Sequence, residues 1–223
     1  MGFEVETKDC TAVTDAELGE LESLSVDSPN ALSMGVLSKQ AEEWVLLTTA
    51  RESGKIKGYV FCPLERIGGP PAVIIGLGTV MRNNKRNATL KALMNELYHR
   101  ALMAFPDEDV IFGTTILSPS GLEVFKDLTD ELPKPSYRPT GEERAWGRRF
   151  AKRLGFSQLG FDDKKFIAVG DGSKPCVFDH ESLKPEKIDK DLLGMFSDLN
   201  HESGDAMVVV AWAMAEKLEK LGS

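Results

Sequence analysis

The chain has 223 residues, 42% hydrophobic and 28% charged, with 27 Lys and Arg against 35 Asp and Glu for a net charge of −8. That is the composition of an ordinary globular protein rather than a disordered one. Its acidic balance argues against nucleic acid or an anionic membrane as a general partner. No apolar run approaches the roughly 20 residues of a bilayer span. The opening MGFEVETKDC has no hydrophobic region of a secretory signal, and Glu6 stands where a myristoylation signal needs Ser or Thr. Cys10, Cys62 and Cys176 are far apart and form no CxxC, a pattern that fits a reducing, cytoplasmic setting.

The spacing of Leu18, Leu21 and Leu24 predicts a short helix from Thr14 to Leu24, with Thr14 as its cap. Residues 44–50 and 56–64 read as strands of a hairpin closed by Glu52-Ser53-Gly54-Lys55. The turn Gly68-Gly-Pro-Pro71 leads into an apolar strand over 72–81. Leu90, Leu93, Met94, Leu97, Ala101 and Ala104 lie on one face of a helix, with Asn87 as N-cap and Pro106 as stop. A buried strand follows over 109–117, then a helix from Ser118 to Leu128. Residues 129–143 carry three prolines and read as a loop, of a length that is usually functional or disordered. A helix from Arg144 to Leu154 ends at Gly155. Residues 156–161 and 164–169 read as a hairpin. Residues 171–223 hold eleven acidic against six basic side chains, a balance of −5. They form an acidic extension with a helical seam at Met207, Val210, Ala211, Met214, Leu218 and Leu221, although the three valines 208–210 leave a strand open.

The strand 72–81, the helix after it and the strand 109–117 make a βαβ unit, and ligands of such units sit beyond the carboxyl ends of the strands. Between the first strand and the helix lies Arg82-Asn83-Asn84-Lys85-Arg86-Asn87, three cations and three amides. The free N–H groups of Ala88, Thr89 and Leu90, with Lys85 and Arg86 on the rim, suit a phosphorylated ligand. The alternative is a solvated charged loop over an ordinary helix start.

This stretch resembles the signature loop of the GNAT N-acyltransferase superfamily. Counted from Val80, the loop's Gln or Arg position falls on Lys85, its two small residues on Ala88 and Leu90, and its apolar pair on Leu93-Met94. Ser118-x-x-Gly121-x-x-Val124-Phe125 is similar to the family's Asn-x-x-Ala-x-x-Leu-Tyr element, and Ala151-Lys-Arg-Leu154-Gly155-Phe156 to its Tyr-x-x-Leu-Gly-Phe ending. The resemblance covers about residues 10–170. It implies a mixed α/β sheet flanked by helices over residues 1–170, with the extension 171–223 packed on it or on a second copy in a homodimer. It also implies an acyl-coenzyme A co-substrate, acetyl-CoA for an acetyltransferase, and a small-molecule or peptide amine as acceptor, with no metal. Carried over by position, Val80 and Met81 hold pantetheine, Lys85, Arg86, Asn87, Ala88 and Thr89 hold the pyrophosphate, and Ser118 closes the cofactor set. The family's acid position falls on Phe125 or Ala151, which cannot donate a proton, and strand 72–81 carries no carboxylate. Tyr137, on the insert, is the remaining candidate acid; its other reading is an aromatic anchor for the loop. The competing function is a non-catalytic GNAT-like protein that binds a ligand or partner in the same cleft.

Other signals are weaker. Gly76-Leu-Gly78-Thr-Val-Met81 lacks the third glycine of a dinucleotide fingerprint, and no acid follows at a strand end. His99, His180 and His201 share no metal-ligand spacing with one another or with Cys176. No nucleophile elbow is present. Arg144, Arg148, Arg149, Lys152 and Arg153 form a second basic cluster. It reads either as a solvated helix face or as a contact for an acidic acceptor or for the nucleoside phosphate of coenzyme A.

Overall fold

The computed structural model describes residues 2–222. One half of the sheet is a meander of β1 (Glu4–Asp9), β2 (Leu46–Glu52), β3 (Lys55–Cys62) and β6 (Leu77–Val80), with β11 (Phe178–Asp179) on its edge. The β2–β3 hairpin turns at Ser53 and Gly54, both at positive φ (52° and 77°), the pairing that matches strand twist in a two-residue turn. The other half runs β4 (Leu64–Arg66), β5 (Pro71–Ile75), β7 (Val110–Ile116), β12 (Ala206–Ala213), β10 (Ile167–Ala168) and β9 (Phe161–Asp162), with β8 (Thr129–Leu132) also on β12.

The two halves meet at Gly76, where the strand expected over 72–81 is broken. β5 pairs in parallel with β7, whereas β6 turns away to pair antiparallel with β3. The indole of Trp44 lies where a side chain on residue 76 would be, so only glycine fits the bend.

Helices α1 (Asp15–Ser25), α2 (Met34–Glu43) and α4 (Gly141–Arg153) cover one face, and α3 (Arg86–Ala104), α5 (Lys190–Phe196) and α6 (Ala215–Gly222) the other. Thr14 and Thr140 begin α1 and α4 with reciprocal capping boxes to Glu17 and Glu143. The strands between are apolar on both sides. Val73, Ile75, Phe112 and Val209 pack under α3 and α6, while Ile74, Ile111, Val208 and Val210 pack under α1, α2 and α4.

That two-sided burial decides the C-terminal segment. A helix would point Val208, Val209 and Val210 about 100° apart and leave one of them wet. In the middle of a covered sheet all three are buried, each by about 1.5–3 kcal/mol of transfer free energy. The expected seam from Met207 to Leu221 is therefore a strand, β12, followed by the helix α6. β12 pairs with β7 from Met207↔Ile116 to Ala213↔Val110, so residues 171–223 share one sheet with residues 1–170.

Three further expectations are corrected. Ser118–Leu128 holds a 3-10 stretch, Pro119–Phe125, not an α-helix. The segment 129–143 begins with β8, paired to Val210 and Trp212. The N-cap of α3 is Lys85 rather than Asn87, because Asn83 Oδ1 takes the Lys85 N–H (2.7 Å) and starts the helix two residues earlier.

Candidate functional site

Beyond Ile75↔Thr114, the last paired residues of β5 and β7, the divergence of β6 opens a notch in the sheet. The sequence places its basic loop at the mouth of this notch. The structure places the chain's own residues 176–182 inside it.

The segment is held by both walls. β11 lies parallel to β6, with Phe178 opposite Gly78 and Asp179 opposite Thr79. Gly78 N–H donates to Val177 O (3.3 Å), and Thr115 Oγ1 on β7 reaches Cys176 O (3.5 Å). The Phe178 ring enters the apolar layer beneath α3 and is 1% exposed. It rests on Gly78, where an ideal Cβ would come within 2.8 Å of the ring. A larger residue at 78 would expel the ring, so the glycine serves this packing rather than a dinucleotide turn.

The loop cations are engaged by the same segment. Arg82 bonds the Asp179 carboxylate (3.3 and 3.4 Å) and lies 3.9 Å from Glu181. Arg86 donates to Ser182 O (3.0 Å) and to Asn83 O (3.2 Å). Lys85 pairs with Glu52 across the loop (2.5 Å). Within the segment His180 is buried, its Nε2 2.9 Å from Glu123 Oε2. Burial pushes the imidazole below its ordinary value, against the pull of Glu123. Burial would raise the Glu123 carboxyl, but hydrogen bonds from Ser182 and His180 prevail and hold it low. A neutral imidazole donating to a carboxylate is the consistent state.

The carried-over residues can now be placed. Val80 is buried opposite Gly58, and Met81 N–H is bonded to Lys57 O (2.8 Å), so both continue the β3 ladder. Thr89 is buried with its methyl against Gly58 and its hydroxyl on Lys85 O (3.3 Å). Ala88 is exposed, and Asn87 is half-buried in the first turn of α3. Ser118 is exposed and shares with Arg82, Asp179, Lys174 and His201 a cavity of about 580 Å3 at the notch mouth. Phe125 and Ala151 are both in the core. Tyr137 is exposed, with its hydroxyl shared between the Glu143 oxygens (3.0 Å each), a bond that raises its pKa. Glu143 lies in the first turn of α4, whose Trp146 packs on Trp212, opposite Ile111 at the start of β7. That end of the sheet lies away from the notch.

The β6 edge is taken by β11, and two of the three loop cations bond the segment that lies there. Cys10 and Cys62 are pushed by burial up to about 12 and Cys176 to about 11, so none is a thiolate near neutral pH. Glu131 is pushed by burial up to about 7, but it lies on β8, across β12 from β7. Among the described residues no group of His, Cys, Asp or Glu is arranged to hold a metal, and no helix is long and apolar enough to cross a membrane. Sequence reading missed Val177–Ser182. The available signal was charge complementarity between the loop 82–87 and the acids flanking a short apolar triplet, Cys176-Val-Phe178.

No family model and no curated protein matches the chain. Several solved structures are similar to it at low identity. The aminoglycoside 6'-N-acetyltransferase from Enterococcus faecium is 12% identical, with a TM-score of 0.43 over 94% of this chain and 96% of that one. A putative GNAT-family acetyltransferase from Desulfovibrio desulfuricans is 12% identical, with a TM-score of 0.40 over 95% and 99%. The ribosomal-protein-S18-alanine N-acetyltransferase from Escherichia coli is 11% identical, with a TM-score of 0.39 over 62% and 86%. In this chain the sheet is mixed: β5 pairs in parallel with β7, β6 leaves it at Gly76 for β3, α3 follows β6, and helices cover both faces.

Proposed function

We propose that this chain is a non-catalytic GNAT-like protein, closed at the cofactor notch by its own residues 176–182, which works in the cytoplasm by binding a ligand or partner. The observation that carries this reading is β11 on the β6 edge, where the family resemblance calls for pantetheine. The family's acid position supports it, being occupied by core residues Phe125 and Ala151. Acyl transfer needs a positioned thioester and a proton for the departing thiolate. The closed notch offers neither.

A second reading has its own support. β11 is two residues long, and the ion pairs of Asp179 with Arg82 and of Glu181 with Arg86 are partly exposed. Such a segment is held by modest forces. Its departure would free the loop for the pyrophosphate of an acyl-CoA, and the protein would then be an N-acyltransferase, acetyl by resemblance, acting on a small-molecule or peptide amine.

Calorimetry with acetyl-CoA separates the two. The closed reading expects no saturable heat and no transfer to a panel of amines. Saturable binding that is lost in the folded Lys85→Glu/Arg86→Glu double variant would overturn it in favour of the acyltransferase.

A further inference from the structure

The second basic cluster is divided by the structure. Arg144 and Arg148 turn to Asp163 beside the β9–β10 turn. Arg149, Lys152 and Arg153 instead face the turn that joins β4 to β5 and, with Arg66, Gly68 and Gln158, line an open cavity of about 610 Å3. None of the residues lining it is acidic.

Three guanidinium groups there are fixed by aromatic rings. Arg149 Cζ lies 4.5 Å from the Trp146 ring centre, Arg153 Cζ 4.7 Å from that of Trp44, and Arg66 Cζ 5.5 Å from that of Phe105. Stacking covers the flat faces of a guanidinium and leaves its edge donors free for a planar anion. Arg66 and Arg153 are also oriented by Glu108 and Glu65. Arg149 and Lys152 have no carboxylate within 4.0 Å among the described residues, so the cavity keeps two uncompensated positive charges on a chain of net −8. Gly68 makes the room. It has a φ of +63°, and a Cβ there would come within 2.8 Å of Arg149 Cζ. The φ at Gly68 is what the turn requires; the feature a merely solvated helix face does not need is an unpaired arginine stacked on an indole beside an unpaired lysine.

We propose that this cavity binds a phosphate-bearing small molecule, with a diphosphate group between Arg149 and Lys152. Stacked guanidiniums suit bidentate contact with phosphate oxygens, and two adjacent phosphates match the two unpaired cations. The site is separate from the notch. Arg66 pairs with Pro71 at the start of β5, whereas the notch opens beyond Ile75 at its other end, about 13 Å away at the rise of a strand. One diphosphate cannot touch both clusters.

Inorganic pyrophosphate is the probe. Two of the chain's three tryptophans, Trp44 and Trp146, stack on guanidiniums of the cavity, so intrinsic fluorescence reports it directly. The expected result is saturable one-site binding that weakens as salt is added. Arg149→Gln/Lys152→Gln should reduce affinity tenfold or more. Gly68→Ala, which crowds Arg149 without changing charge, should reduce it as well. Arg144→Gln/Arg148→Gln removes the same charge from the same helix outside the cavity and should leave affinity within about twofold. Calorimetry gives the stoichiometry, and thermal melts confirm that each variant folds. The proposal is overturned by an absence of saturable binding, by unchanged affinity in Arg149→Gln/Lys152→Gln, or by an equal loss in the Arg144→Gln/Arg148→Gln control.

Discussion

If residues 176–182 are a fixed part of the fold, Phe178 and Gly78 should be energetically coupled. Phe178→Ala removes a ring that is 1% exposed, a change that costs about 3–5 kcal/mol in a well-packed core. For a chain of this size that lowers Tm by roughly 6–20 °C. Gly78→Ala builds a Cβ 2.8 Å from the Phe178 ring and 2.8 Å from the Tyr59 carbonyl oxygen, with an overpacking cost of about 1–3 kcal/mol. Removing the ring relieves the first contact and leaves the second. The double variant should therefore be less destabilised than the sum of the single variants, by about 1 kcal/mol. Urea unfolding of all four proteins, with m-values compared to detect partial opening, measures this coupling. Additivity within about 0.3 kcal/mol would mean that the ring does not rest on Gly78 and that β11 does not fill the notch.

The remaining predictions concern the ends of the same sheet. His180 is held below the ordinary imidazole value of 6.5, so at lower pH the unfolded chain binds a proton that the folded chain does not. Stability from this group is complete above about pH 6.5 and falls as pH drops toward the folded pKa. Chemical unfolding at several pH values should show that fall in the wild type and a flatter curve in His180→Gln; identical curves would place His180 outside the titrating set. Chymotrypsin should nick the folded protein after the exposed Tyr137 while β8 stays protected on β12, and early cleavage after Leu128, where β8 begins, would instead contradict the β8 pairing. Tyr137→Phe, which removes only an exposed hydroxyl bonded to Glu143, should change stability by less than about 0.5 kcal/mol by urea unfolding; a larger loss would show that the hydroxyl supports the start of α4.

What could be read in advance followed from local chemistry. Thr14 with Glu17, the Ser53-Gly54 turn, and the apolar spacing of α3 each specify their structure within a few residues, and each element is present. The break at Gly76 was not legible. Nothing in Ile74-Ile75-Gly76-Leu77 distinguishes one long strand from two; the cause is Trp44, more than thirty residues earlier in the chain. The valines 208–210 were ambiguous for the same reason, since helix or strand depends on whether both faces are covered. The contents of the notch were least accessible. A family pattern locates the loop, but a two-residue strand from the far end of the chain leaves almost no periodic trace.

The place of β12 bears on how the protein is made. β7 ends at Ile116, and its inner neighbour begins only at Ala206. At a synthesis rate of about 5–20 residues per second, the nascent chain carries an unpaired β7 edge for roughly 5–20 seconds before β12 can dock. The N-terminal meander and α3 can assemble in that interval, but the sheet cannot close. The native sheet is completed only when its penultimate element, made almost last, takes its place beside β7.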